Sequence, residues 1–197
     1  MTRSGDATRT TKETDVSVRL VIDGAGDVSI DTGIPFFDHM LEQLGKHGGW
    51  DLAVTAKGDL DVDGHHTVED VGLTIGEALR TALGDKAGVR RFGSIVVPLD
   101  EAAVEVALDL SGRSFVVHEV DVPAETIGTF DSGLVEDFVR AFAQGAEFTV
   151  HVRLRAGRSP HHVVEAEFKA LAKALADACS PTRAAGVPST KGTLSGS

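Results

Sequence analysis

The pentad His-His-x-Val-Glu occurs twice in this chain, at His65–Glu69 and at His161–Glu165. Each copy follows an alternating segment and a glycine-containing turn, and each opens an apolar stretch of helical period. Phe37-Asp38-His39 faces Val135-Glu136-Asp137 at nearly the same spacing. Self-similarity of this kind restricts the fold to a duplicated unit whose two halves each carry one copy of the motif.

The rest of the pattern fits that restriction. Residues 14–22 alternate and put Val16, Val18 and Leu20 on one face, the strand period. The Asp23–Asp27 turn followed by Val28-Ser29-Ile30 predicts a hairpin. A helix is expected from Phe36 or Phe37 to Lys46, ended by Gly48-Gly49, and others over His66–Leu83, 133–144 and His161–Cys179. Strands are expected over 50–56, 95–97, 102–110, 115–122 and 148–154, with Pro98 as a break. The fold class is α+β: duplicated half-domains, each a small mixed sheet with two helices, packed as an α/β sandwich. The divisions are a polar, flexible arm at 1–12, repeats at 13–92 and 93–180, and a tail at 181–197 that is rich in Ser, Thr, Pro and Gly.

On a helix starting at His161, Val164, Phe168, Leu171 and Leu175 form a core stripe. His161, Glu165 and Lys169 form the neighbouring stripe, with His162 three residues before Glu165. His65, His66 and Glu69 repeat the arrangement. Imidazole with carboxylate suits a borderline divalent ion. Without a thiolate ligand set, the pattern argues against a structural zinc knuckle. A single His-His pair would more often cap a helix or bond locally. Two copies, each with Glu at the same offset, argue for metal. Adjacent histidines point apart, so symmetry favours two ions, each taking one His from each copy. His39 and its counterpart Asp137 join the candidate ligands. His47 suits a helix C-terminus, and His118 and His151 read as structural.

The formal charge of −11 argues against nucleic acid and anionic membrane as partners. An anionic small molecule is still allowed where cations converge. Arg91, Arg113, Lys169 and Lys191 sit beside glycine turns or the metal stripe, and Ser189 and Thr190 supply hydroxyls. That is the chemistry of a phosphate clamp. The start, MTRSGDATRTTKET, has no apolar signal region. The single Cys179 permits no intrachain disulfide, reads as a buried inert thiol, and fits a reducing cytoplasm.

The segments PFFDHMLEQLGKHG, GDLDVDGHHTVEDVGLTIGEAL, RRFGSIVVPLDEA, DLSGR, SPHHVVEAEFKALAKAL and PSTKG resemble imidazoleglycerol-phosphate dehydratase, in its monofunctional form, from about Arg9 to Leu194. The resemblance implies a duplicated α+β unit, trimers assembled into a 24-subunit shell, active sites between subunits, and two manganese ions per site. It implies that D-erythro-imidazoleglycerol phosphate is dehydrated to imidazole-acetol phosphate in histidine biosynthesis. By motif, one ion would take His39, His66, Glu69 and His162, and the other His65, His161, Glu165 and residue 137. Glu13 matches a substrate-binding carboxylate, and Gln43 and His47 match residues lining the site. Arg91, Arg113, Lys169, Ser189 and Lys191 match phosphate contacts. The family commonly has His where this chain has Asp137. Either Asp137 is a ligand, or that ion keeps a water or another donor there.

The reaction so implied removes a carbon-bound proton and a hydroxyl. An imidazolate form of the substrate, stabilised by two metals, would push out the leaving group. Glu13, His47, Glu69 and Glu165 are the acid–base candidates. Two rivals use much of the same inventory: a dinuclear metallohydrolase acting on a small phosphoester, and a non-catalytic metal-binding shell.

Overall fold

The alternation at Val16, Val18 and Leu20 becomes the central strand of a sheet in the computed structural model, which describes residues 2–121, 123–183 and 186–194. The first half contains strands β1 (Ser4–Thr10), β2 (Thr14–Val21), β3 (Val28–Asp31) and β4 (Asp51–Gly58), with helices α1 (Pro35–Gly48) and α2 (His65–Leu83). The second contains β5 (Phe92–Leu99), β6 (Ala102–Asp109), β7 (Phe115–Glu119) and β10 (Thr149–Ala156), with α3 (Leu134–Ala146) and α4 (Pro160–Cys179). Among the described residues, a two-strand ribbon, β8 (Thr126–Ile127) and β9 (Phe130–Asp131), is the only element without a counterpart in the first half.

The sheets have the orders β1-β2-β4-β3 and β5-β6-β10-β7, the same topology drawn twice. In each, three strands are antiparallel, and the last pairs parallel through a helical crossover. Inner faces are apolar throughout: Val16, Val18, Leu20, Leu52 and Val54 in one sheet, and Val104, Val106, Val150 and Val152 in the other, are all buried. Helix α2 covers β1 and β2, and α4 covers β5 and β6. The helix layers then meet each other, α2 on α3 and α1 on α4. Between them runs an aromatic series, with Phe37 stacked on Phe130 at 5.8 Å and Phe138 on Phe168 at 5.0 Å.

Four expectations change. The arm expected at 1–12 is, over Ser4–Thr10, an edge strand paired with β2 from Ser4↔Val21 to Thr10↔Asp15. Ser4, Asp6, Thr8 and Thr10 face outward, and Gly5 lies directly on α2. The hairpin expected between β2 and β3 does not form. The two edges of β2 are taken by β1 and β4, so β3 reaches the sheet through α1 and pairs parallel with β4. Pro98 does not end β5, because an edge strand tolerates a residue with no N–H to donate. The strand expected at 115–122 ends at Glu119, and Val122 lies outside the described residues.

Helix ends follow local chemistry. Pro35 opens α1, and Gly49, at φ 68°, closes it by donating to the Gly45 and Lys46 carbonyls. Ser159 caps α4 ahead of Pro160. No helix among the described residues is long and apolar enough to cross a membrane.

Gly5 and Gly93 occupy equivalent places. A Cβ on Gly5 would sit 2.1 Å from the Ala78 carbonyl oxygen, and one on Gly93 would sit 2.0 Å from that of Ala174. Ala78 and Ala174 are separated by the same 96 positions as His65 and His161. The edge strand therefore rides on the helix backbone itself. Gly93→Ala is expected to destabilise the fold by about 1–3 kcal/mol or more through overpacking, measured by urea or thermal denaturation. Cys179 is buried, and burial pushes its thiol up to about 12. A thiol reagent at neutral pH is expected to leave it unmodified in the native protein and to label it in denaturant.

Candidate active site

Pairing α1 with α4 and α2 with α3 gathers the sequence-predicted residues into two groups. The first lies between α1 and α4. His39 Nε2 is 3.7 Å from Glu165 Oε2, and His161 Nε2 is 3.4 Å from the same oxygen. The Lys169 ammonium sits 2.7 Å from Glu165 Oε1. Burial alone would raise the Glu165 carboxyl, but Lys169 overrides it and holds the group below the usual range. Gln43 lies 3.4 Å from His39 and accepts from His47 Nε2 at 3.0 Å. Burial pushes the His47 imidazole below its ordinary value, and the Lys169 and Lys173 charges act in the same direction. Phe36 packs its ring against His161 with centroids 5.1 Å apart.

The second group lies between α2 and α3. His65 Nδ1 is 3.5 Å from Asp137 Oδ2, and Glu69 points outward from the first turns of α2. His39 with His161 and Glu165 is thus mirrored by Asp137 with His65 and Glu69, the correspondence expected from the repeat.

The second histidine of each pair turns away from the first. Ring centroids are 5.9 Å apart in both pairs, with interplanar angles of 74° and 86°. His66 Nδ1 meets Asp59 Oδ2 at 3.0 Å, with Glu13 at 3.9 Å, while His162 Nδ1 meets Glu101 Oε2 at 2.7 Å. The bond to Asp59 raises His66, and the bond to Glu101 raises His162. Glu101 itself is pulled down to about 2, first by His162 and then by the Ser159 N–H. Sequence reading did not single out Asp59 or Glu101. Both fall inside the family segments, GDLDVDGHHTVEDVGLTIGEAL and RRFGSIVVPLDEA, but in turns where no ligand spacing sets them apart.

Glu13 stands at the β1–β2 turn. Its N–H and that of Thr14 both bond the Thr11 hydroxyl, at 3.1 and 3.0 Å. Buried Asp70, next to Glu69 on α2, fastens this turn by accepting from Arg9 Nε at 2.6 Å and from the Thr14 hydroxyl. Asp70 was also not foreseen, though its place in the repeated helix could have suggested a structural anchor.

The predicted phosphate residues are divided. Arg91 holds Asp109 through Nε and Nη2 at 2.6 and 3.0 Å, and donates from Nη1 to the Pro188 carbonyl at 2.7 Å. That fixes the tail just before Ser189, Thr190 and Lys191. The Ser189 hydroxyl accepts from the Lys191 N–H at 3.2 Å. Arg113, in the loop after β6, is exposed and its guanidinium has no ion pair among the described residues. Lys169 stays with Glu165, and no hydrogen bond or ion pair joins it to Arg91, Arg113 or Lys191 among the described residues. Nor do three His, Cys, Asp or Glu side chains close on one ion there. His118 bonds the buried Glu167 at 2.9 Å, which fits its structural reading.

The comparisons give this geometry a family. The family model for imidazoleglycerol-phosphate dehydratase matches residues 32–175, a span containing both His-His copies. The imidazoleglycerol-phosphate dehydratase of Acidothermus cellulolyticus is 56% identical over 98% of this chain and 93% of its own length. The chloroplastic one of Pisum sativum is 50% identical over 98% of this chain and 70% of its own. The crystal structure of the Staphylococcus aureus enzyme superposes with TM-score 0.82 at 35% identity, covering 91% of this chain and 99% of that one. That of IGPD from Pyrococcus furiosus in complex with (S)-C348 gives 0.83 at 37%, covering 95% and 99%. The chain belongs to the imidazoleglycerol-phosphate dehydratase family, hydro-lyases of histidine biosynthesis.

Proposed function

We propose that the chain dehydrates D-erythro-imidazoleglycerol phosphate to imidazole-acetol phosphate at sites holding two divalent metal ions, completed by a second copy of the chain. One observation carries this reading. A single chain presents two incomplete ligand groups, and each is what the other lacks. His65, His66, Glu69 and Asp137 belong to one side, and His39, His161, His162 and Glu165 to the other. The two ligand sets implied by the motifs each draw on both groups, which is natural if one copy's first group faces another copy's second. The donors fit the ion, since imidazole and carboxylate suit manganese and its neighbours. Asp137 supplies an oxygen donor where the family commonly has imidazole.

Bound metal would supply Lewis acidity that stabilises negative charge on the substrate's ring. The protein's own residues do the rest. Lys169, Arg113 and Lys191, with the Ser189 and Thr190 hydroxyls, bind the phosphate, and Arg91 holds the tail that carries the last three. Glu13 is the carboxylate outside both ligand sets, so its oxygen is free to take the carbon-bound proton. Glu69 and Glu165, as ligands, are poorer bases. Burial and Lys169 hold the His47 imidazole below its ordinary value, and its Nε2–H bonds Gln43, which leaves a bare Nδ1 that can take the carbon-derived proton from Glu13 and pass it to the departing hydroxyl. A dinuclear metallohydrolase is not favoured, because the matching family and relatives are dehydratases.

The same reading extends to assembly and place. Exposed Phe92, Val96 and Phe115 on the outer face of the second sheet offer apolar surface for contacts between copies, consistent with trimers built into a 24-subunit shell. The single thiol suits the cytoplasm, and the charge of −11 does not suit nucleic acid or membrane.

After chelation, turnover of imidazoleglycerol phosphate should be lost and should return with manganese, and the sedimenting species should shrink and re-form. Unchanged activity and size in chelator would remove the metal from the reading. Release of inorganic phosphate in place of a ketone product would point to the hydrolase. Glu13→Gln should keep its manganese content while turnover drops by about 10²-fold or more; wild-type turnover would remove Glu13 from the proton transfer.

A further inference from the structure

The second histidine of each repeated pair is held in the same way, through Nδ1, by a carboxylate from a turn. Asp59, in the turn between β4 and α2, lies 3.0 Å from His66 Nδ1 and 7 positions before it. Glu101, in the β5–β6 turn, lies 2.7 Å from His162 Nδ1 and 61 positions before it. A contact inherited by duplication would recur at one offset. This one is met at short range from two turns that are not each other's counterparts: Glu101 answers Glu13 of the β1–β2 turn, whose carboxylate stands back from His66 at 3.9 Å while Asp59 takes the bond. The first histidines are not held so: His65 Nδ1 is 3.5 Å from Asp137, and the His161 contact with Glu165 runs through Nε2.

A carboxylate that accepts the Nδ1 proton fixes the tautomer and the ring orientation. It leaves the Nε2 lone pair outward and strengthens it as a donor. We infer that Asp59 and Glu101 are positioning residues that hold His66 and His162 with Nε2 presented to a metal ion. The inference rests on the dimetal reading above. On the ligand sets implied there, His66 and His162 serve the same ion. One of the two ions therefore depends on both carboxylates, and the other on neither.

The two should respond differently to substitution. Glu101 Oε1 is already held by the Ser159 N–H at 3.0 Å, while Oε2 faces His162. In Glu101→Gln the oxygen stays with Ser159 and the amide nitrogen faces Nδ1. Two donors then oppose, and the ring adopts the tautomer with its proton on Nε2, which blocks ligation. The Asp59 carboxylate bonds only His66 among the described residues. In Asp59→Asn the amide can turn its oxygen to Nδ1, so little is lost, whereas Asp59→Ala removes the bonded acceptor and leaves only Glu13, 3.9 Å away.

The test is a manganese titration of the chelated, full-length protein by calorimetry, with thermal midpoints recorded alongside. In Glu101→Gln and Asp59→Ala one class of manganese sites should weaken by about ten- to a hundredfold, and the other should keep its wild-type Kd. Asp59→Asn should fall between Asp59→Ala and wild type. Glu119→Gln, which breaks a surface pair with Arg153, should leave both classes unchanged. Wild-type affinity in either Glu101→Gln or Asp59→Ala overturns the inference, as does equal weakening of both site classes. Asp59→Ala disturbs no backbone contact of its side chain, so it decides the matter even if Glu101→Gln folds poorly. Failure of the wild-type protein to bind manganese would instead overturn the dimetal reading.

Discussion

Everything in this molecule depends on burying two sheet faces against a shared layer of four helices. A single half has one apolar sheet face and two helices, and its helices still carry an apolar stripe away from the sheet. Those stripes are buried only by the other half, with α2 on α3 and α1 on α4. The hydrophobic drive to cover them couples the halves into one core. It also pairs each helix with a partner from the opposite copy. That exchange sets His39 beside Glu165 and Asp137 beside His65.

Close approach is the second condition. With Gly5 and Gly93 lying on the backbones of α2 and α4, the edge strands and helices sit nearer than any side chain would allow. The strand β1 leads into the Glu13 turn, and Asp70 clamps that turn through Arg9 and Thr14. Core packing and the placing of a candidate base are thus one piece of construction, running through a helix that also bears His65, His66 and Glu69.

The duplication is not perfect, and its departures carry chemistry. Asp137 answers His39 with an anionic oxygen in place of an imidazole. Lys169 lies one turn beyond Glu165, while Leu73 occupies the matching position beyond Glu69. One half therefore carries an ammonium against its carboxylate, and the other leaves Glu69 without an ion pair among the described residues. Among the described residues the ribbon β8–β9 has no match in the first half, and it contributes Phe130 to the aromatic series.

Much of this was legible in the chain itself. Period-2 and helical patterns located most of the elements, because burial on one face leaves a periodic trace. The repeated His-His-x-Val-Glu and the family motifs identified the residue types for metal and phosphate. The edge strand β1 left no such trace, since its contact with α2 is made by a glycine and its outer residues are polar. Strand order was also beyond the pattern, as hydrogen-bond pairing depends on which neighbour fills each edge. What the sequence by itself determined is the duplicated α+β plan and the ligand inventory, both written in local spacing. What only the tertiary structure decided is how that inventory is divided. Helix pairing across the halves splits it into two incomplete groups, and turns outside the helices supply Asp59, 7 positions before His66, and Glu101, 61 before His162, because proximity in space is set by packing and not by offset.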